Sequence, residues 1–205
     1  MQITKIEVQK KKKDRYNIYV DDQFRFGLDE GVVARFGLYE KKEIDQSLID
    51  EIEKDEVFAK AFNSAITYLR ARERSQKEIR DKLKTKEYSE NIIEKVLVRL
   101  AELDLVNDKR FAKMFVSDRM KLKPKGKRVL QIELMQKGID KNIIEEVLYE
   151  LVGGDSEIEL AKKVLEKALK KYGNMGDGEV KQRVIKYLQA RGFSWSIIES
   201  VLDNI

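Results

Sequence analysis

Three short stretches of the sequence contain residue types that could do chemistry. The glycine-rich stretch GNMGDG, residues 173–178, follows a predicted helix and lacks the Gly-Lys-Ser/Thr ending of a phosphate-binding loop. The stretch KPKGK, residues 123–127, has no preceding strand and no following hydroxyl. The acidic loop ELDLVNDKR, residues 102–110, could hold a cation, but a turn with a helix cap at Asn107 or Asp108 is favoured. We therefore predict neither a phosphate site nor a metal site here.

The composition narrows the function classes further. The 205 residues include no histidine and no cysteine, so the commonest general base and the thiolate metal ligand are both missing. Carboxylates are abundant, yet none lies in an apolar context that would raise its pKa for acid–base work. We expect a protein that is not an enzyme and needs no cofactor. Without a bilayer-length apolar run or a signal peptide, we also expect a cytoplasmic protein that does not contact membranes.

Two basic clusters are the strongest candidate site. They fall at equivalent points of a repeated pattern, the junction of its first and second helices. Charge runs are usually solvated helix surface, but repetition at one position favours a binding surface. If the repeats stack in register, one basic stripe results, suited to a polyanion or to an acidic protein groove. The predicted partner-binding residues are Arg70, Arg72, Arg74, Lys77, Arg80, Arg119, Lys121, Lys123, Lys125, Lys127 and Arg128.

The clusters are carried by an internal repeat of about 50 residues. A pattern of two isoleucines followed by Val-Leu occurs at Ile92-Ile93, Ile143-Ile144 and Ile197-Ile198. Apolar residues at three- and four-residue steps predict three helices in each repeat, with helix caps at Ser75, Ser89, Asp140 and Ser194. We predict a mainly α fold with three-helix repeats at residues 55–107, 108–153 and 154–205, stacked as an elongated, curved array.

The N-terminal part, residues 1–54, has a different pattern. Residues 3–9, 15–20 and 23–28 are rich in β-branched and aromatic residues, and short polar segments separate them. They predict a three-stranded antiparallel meander. A short helix capped by Asp29 and ending at Gly37 should follow, and an acidic helix should begin near Asp45 or Ser47.

Three motifs resemble the RecX family of recombinase regulators. The first is a Tyr-Leu-x-x-Arg-x-Arg-Ser stretch with Glu after Ser, the second a turn leading to Arg-Phe-Ala, and the third a Lys-Gly stretch ending in Lys-Gly-Ile. The match is close over residues 58–151 and loose over 160–205. It departs from the family pattern at Asn107, at Ile132 and at Glu87, where the other repeats have glycine. The matching residues are Tyr68, Leu69, Arg72, Arg74, Ser75, Glu78, Asp108, Arg110, Phe111, Ala112, Lys125, Gly126, Glu133, Leu134, Lys137, Gly138 and Ile139.

The resemblance implies three tandem three-helix repeats that bind the RecA recombinase in the groove of the RecA–DNA filament. It implies reduced ATPase and strand-exchange activity, and so a role in recombination, DNA repair and the SOS response. The residues themselves leave an autonomous nucleic-acid-binding helical protein open as the alternative. Single-strand binders place aromatics among their basic residues, and only Tyr68 and Tyr88 lie near the clusters here. We expect a monomer.

Overall fold

The computed structural model describes residues 1–10, 12–173 and 177–203. It is mostly helical, with a small antiparallel sheet at the N-terminus, as the sequence predicts. The chain divides into two compact units. The first comprises Met1–Arg72 and Arg80–Glu102, and the second comprises Glu73–Ile79 and Leu103–Ile205. Each has its own apolar core.

The sheet of the first unit is a simple meander. Strands β1 (Ile3–Gln9), β2 (Lys12–Val20) and β3 (Gln23–Asp29) pair in chain order, each antiparallel to the next. Asp21 and Asp22 connect β2 to β3 with positive φ angles of 47° and 65°, the backbone of a tight two-residue hairpin. One face packs into the core because alternate side chains point the same way, so Ile18 and Leu28 are fully buried.

Two helices complete the N-terminal part. Helix α1 spans Glu30–Arg35 and helix α2 spans Gln46–Leu69. Asp45 caps α2 by accepting a hydrogen bond from the Leu48 amide. Asp29 holds the cap position of α1, but its carboxylate caps no amide there and lies 3.4 Å from Arg15 instead. The sequence separates an acidic helix from the first helix of the first repeat; the structure joins them into α2, since no glycine or proline interrupts residues 46–69.

Eight further helices follow α2 within the described residues and complete the repeats. Helices α3 (Gln76–Lys84) and α4 (Glu90–Glu102) follow α2 in the first repeat. The second repeat contains α5 (Asp108–Leu122), α6 (Lys127–Gln136) and α7 (Lys141–Val152). The third contains α8 (Asp155–Tyr172), α9 (Asp177–Ala190) and α10 (Trp195–Leu202). The predicted caps are confirmed at Ser75, Asp140 and Ser194, whose side chains each accept an amide hydrogen bond from the following helix.

The repeated isoleucine pairs have one structural meaning. The second member of each pair, Ile93, Ile144 or Ile198, is at most 1% exposed. The first member is only partly buried. The repeat therefore encodes one core-facing position and one flanking position on the last helix of each repeat.

Candidate partner-binding surface

The predicted basic residues divide between the two units. Arg70, Arg72 and Arg80 belong to the first unit, and the other predicted cations belong to the second. Arg70 follows α2 and is exposed. Arg80 is half-buried and pairs with Glu90 and Glu94 of α4, so its charge is used within its own repeat. Lys77 is exposed at the start of α3, and Arg74 is half-buried beside it.

Two predicted cations of the second unit, Arg119 and Lys125, form internal ion pairs that stabilise the fold. The Arg119 Nε donates to Glu133 Oε2 at 3.0 Å, and Lys125 pairs with the other oxygen of the same carboxylate. Burial alone would raise the pKa of Glu133, but the hydrogen bonds from Lys125 and Arg119 outweigh it and hold that pKa below its ordinary value. Glu133 thus ties the end of α5 and the α5–α6 loop to α6.

Lys127 is also engaged. Its backbone amide donates to Glu157 Oε1 at 3.1 Å, and its Nζ lies 3.8 Å from Glu157 Oε2. Glu157 is only 7% exposed, although it is charged. A buried carboxylate at the first turn of α6 satisfies an amide that has no partner inside the helix.

Lys121, Lys123 and Arg128 are left facing outward. All three are exposed, and none takes part in an ion pair with the residues that the structure describes. They surround the α5–α6 junction, whose loop is anchored through Lys125 and Lys127. We call Lys121, Lys123 and Arg128 the junction surface. Whether it forms one stripe with Arg70 and Arg72 stays a prediction.

A set of contacts between successive repeats was not predicted from the sequence. At the start of α3, the Gln76 amide donates to Asp108 at 2.8 Å, just as the Lys127 amide donates to Glu157 at the start of α6. In both cases the acceptor lies in the first turn of the next repeat's first helix. Burial raises the pKa of Asp108, and the hydrogen bond from Gln76 opposes that rise.

Glycines at equivalent positions complete these contacts. Gly138 has a φ of +77°, and a Cβ there would lie 2.6 Å from the Lys77 Cβ. Gly192 has a φ of +87°, and a Cβ there would lie 2.6 Å from the Val129 amide nitrogen. In each case the turn after the second helix of one repeat rests on the first turn of the preceding repeat's second helix. Glu87, the equivalent residue of the first repeat, has no preceding repeat to contact. The sequence difference between Glu87 and the two glycines, Gly138 and Gly192, therefore indicates which repeats pack on a preceding repeat.

Hydrogen bonds to backbone carbonyls confirm that the contact recurs. The Ser75 hydroxyl donates to the Lys137 carbonyl at 2.8 Å, and the Gly126 amide donates to the Arg191 carbonyl at 2.9 Å. Ser75 and Gly126 each immediately precede a second helix, and Lys137 and Arg191 each immediately precede the positive-φ glycine. We call this set of contacts the repeat joint. It fixes the start of α3 and of α6, next to the basic residues.

The other candidate sites in the sequence include the acidic loop at residues 102–110 and the glycine-rich stretch at residues 173–178. Asn107 caps α5 by accepting from the Arg110 amide, so the acidic loop is a turn with a cap, as predicted. Residues 174–176 of the glycine-rich stretch lie outside the described residues. Across the described ranges, no acidic cluster is arranged to hold a metal ion. Nor does any described helix combine the length and apolar character needed to cross a bilayer.

Family models match most of the chain. Residues 1–45 match the N-terminal domain of regulatory protein RecX. The first, second and third three-helix domains of RecX match residues 61–100, 107–148 and 155–202.

Individual relatives and solved structures agree. Regulatory protein RecX of Bacillus subtilis (strain 168) is 41% identical over 203 residues, 99% of this chain and 76% of the relative. RecX of Listeria welshimeri is 36% identical and covers 98% of this chain and 74% of its own length. A crystal structure of regulatory protein RecX superposes with a TM-score of 0.86 at 33% identity, covering 98% of both chains. RecX from Lactobacillus salivarius covers 73% of this chain and 97% of its own, with a TM-score of 0.66 and 30% identity. The chain therefore belongs to the RecX family of regulatory proteins.

Proposed function

We propose that the chain binds the RecA recombinase on its DNA filament and lowers its ATPase and strand-exchange activity. It would thereby restrain recombination, DNA repair and the SOS response. The family of regulatory proteins supports the class of function. One observation supports the location of the binding surface. The junction surface has three exposed cations at a loop that internal ion pairs hold in place.

The proposed mechanism is binding without chemistry. Exposed ion pairs contribute about 0.5–1 kcal/mol each, so no single contact would dominate. Affinity would instead come from several weak contacts made at once by equivalent positions of successive repeats. The anchored loop favours this because fewer degrees of freedom are lost on binding. Inhibition follows if a bound regulator opposes the subunit rearrangements that ATP hydrolysis and strand exchange require.

Direct binding to nucleic acid is the second candidate. The junction surface favours it through its charge alone, since residues 119–128 include no aromatic side chain on which bases could stack. Tyr68 and Tyr88, which lie near the first basic cluster in sequence, are half-buried. We therefore place the main contact on protein and expect a shallower dependence of binding on salt than a pure phosphate-binding surface gives.

Co-sedimentation with preformed RecA–DNA filaments tests the proposal. The double variant Lys123→Glu/Arg128→Glu removes two exposed contacts and should weaken filament binding roughly 5–30-fold. The concentration needed to inhibit the ATPase should rise by the same factor. Adding Arg70→Glu should weaken binding further if one surface spans the first two repeats.

The matched control is Lys10→Glu/Lys13→Glu, which changes the net charge equally on the N-terminal hairpin, where both residues are exposed. If both variants bind filaments as tightly as the wild type, the junction surface is only a solvated surface. If both lose affinity to the same extent, net charge alone drives the attraction. Stronger sedimentation with naked DNA than with filaments would favour the nucleic-acid-binding function instead.

A further inference from the structure

A groove in the second unit is lined mostly by residues that the predicted surface does not include, with Lys121 as the one shared residue among those described. It has a volume of about 680 Å³ and lies between the end of α5, the end of α7 and the middle of α8. Its apolar part is formed by Met120, Pro124, Leu151 and Leu160. Each of these side chains is buried or half-buried, so the groove has a packed, preformed floor.

Lysines surround this floor. Lys163, Lys167 and Lys170 line it from α8, and Lys121 lines it from α5. All four are exposed, and none pairs with a carboxylate among the described residues. Glu166 is the one acidic residue in the described part of the lining, so these residues carry a clear positive excess.

The spacing of the α8 lysines indicates the shape of the ligand. Lys163, Lys167 and Lys170 are separated by four and three residues, so they share one face of α8. Their row is about 10 Å long, or two helical turns. A helix lying along the groove would present carboxylates with the same four- and three-residue steps, and its apolar stripe would meet Met120 and Leu151.

The apolar floor separates protein from nucleic acid. A sugar–phosphate backbone would satisfy the lysines but would leave Met120, Pro124 and Leu151 against polar groups. Among the described residues, the lining also has no aromatic side chain for stacking and no amide or arginine for reading base edges. An acidic amphipathic helix matches both the charged rim and the apolar floor.

We infer that this groove is a docking site for an acidic amphipathic helix of a protein partner. The inference rests on the proposed function only for the class of partner, a protein. It adds the third repeat, through α8, to the binding surface, and it specifies the chemistry that is recognised there. The junction surface on the α5–α6 side remains a separate set of contacts, with Lys121 at the border of both.

The probe for the test is a fluorescein-labelled peptide of alanine, leucine and glutamate, about 18 residues long so that it can be helical when bound. Its leucines occupy one face and its glutamates flank them. Fluorescence anisotropy measures its binding to the full chain. A scrambled peptide of the same composition should bind at least about tenfold more weakly, because its apolar stripe is lost. Replacing its glutamates with glutamines should weaken binding to a similar degree.

The variant Lys163→Glu/Lys167→Glu/Lys170→Glu should lower affinity for the peptide at least about tenfold. The control Lys181→Glu/Arg183→Glu/Lys186→Glu reverses three exposed cations of α9 in the same repeat and should change affinity less than about twofold. Fluorescence of Trp195, the single tryptophan, reports whether each variant keeps the folded second unit.

Three results would overturn the inference. The first is equal affinity of the two triple variants for the peptide. The second is binding of the scrambled peptide as tight as that of the original peptide. The third is binding of single-stranded oligodeoxythymidine that the α8 variant abolishes, while the amphipathic peptide does not bind. The assay contains no RecA. A failure here therefore leaves the filament experiment intact, and a failure of the filament experiment leaves this groove testable.

Discussion

The substitution Gly126→Ala tests the repeat joint most directly. Gly126 has φ −75° and ψ 166°, an extended conformation that alanine adopts freely. In an open site the change would stabilise the protein by about 0.4–1 kcal/mol, because alanine restricts the unfolded chain. Here the new Cβ would lie 2.3 Å from the Gly192 carbonyl oxygen and 2.6 Å from the Phe193 amide nitrogen. The obstacle is backbone, which cannot rotate away as a flexible side chain can.

The expected cost follows from that geometry. Inserting a methyl group into a closely packed site costs roughly 1–3 kcal/mol. If the second and third repeats separate to make room, the hydrogen bond from the Gly126 amide to the Arg191 carbonyl is also weakened, at about 0.5–1.5 kcal/mol. We expect Gly126→Ala to lower the free energy of unfolding by about 2–4 kcal/mol.

Urea unfolding followed by Trp195 fluorescence measures this change, since Trp195 belongs to the second unit. With an m-value of about 2 kcal/mol per molar urea, the midpoint should fall by about 1–2 M at unchanged slope. The control is Gly178→Ala in α9, where an added Cβ meets none of the described atoms within 4 Å. It should be neutral or stabilising by up to about 1 kcal/mol. A Gly126→Ala protein as stable as the wild type would refute the repeat joint.

Two further predictions concern the core and the pH dependence. Ile93→Ala, Ile144→Ala and Ile198→Ala should each destabilise by roughly 2–4 kcal/mol in chemical denaturation, and losses below about 1 kcal/mol at all three would contradict their burial. The folded-state pKa of Glu133 is depressed, so its contribution to stability is present above its unfolded pKa of about 4.3 and is lost as the pH falls through the lower, folded value. Glu133→Gln should therefore flatten the acid side of the stability profile below about pH 5, and an unchanged profile would show that Arg119 and Lys125 do not stabilise this carboxylate.

Local signals predicted most of the fold. The second isoleucine of each pair, the caps at Asp140 and Ser194 and the hairpin at Asp21-Asp22 depend on periodicity and on short-range hydrogen bonds, which neighbouring residues determine. The continuous α2 escaped prediction because its apolar pattern changes along its length while its backbone meets no breaker. The acidic composition of residues 45–56 instead favours a separate helix before the first repeat.

The sequence could not predict which cations form internal ion pairs and which remain exposed without one. Arg119, Lys125 and Lys127 resemble Lys121, Lys123 and Arg128 in the sequence, yet the first three pair with Glu133 or Glu157 and the others do not. That distinction depends on which carboxylates the tertiary fold brings near. One clue was available, since Glu133 is the only carboxylate between Asp118 and Asp140. A single carboxylate within a strongly basic segment is expected to attract several of the neighbouring cations, as Glu133 attracts Arg119 and Lys125.

The cations in internal ion pairs hold the exposed cations of the junction surface in place. A flexible loop carrying Lys123 would lose conformational freedom on binding, at about 0.5–1.5 kcal/mol for each immobilised side chain, which is as much as one exposed ion pair returns. Lys125 on Glu133 and Lys127 on Glu157 restrain that loop before any partner arrives. The repeat joint has the same effect at its far end, because Gly126 sits between these two lysines and against Gly192. In the proposed binding surface, where each single contact would be weak, this restraint would decide whether their sum is favourable, so we propose that the internal ion pairs contribute to binding.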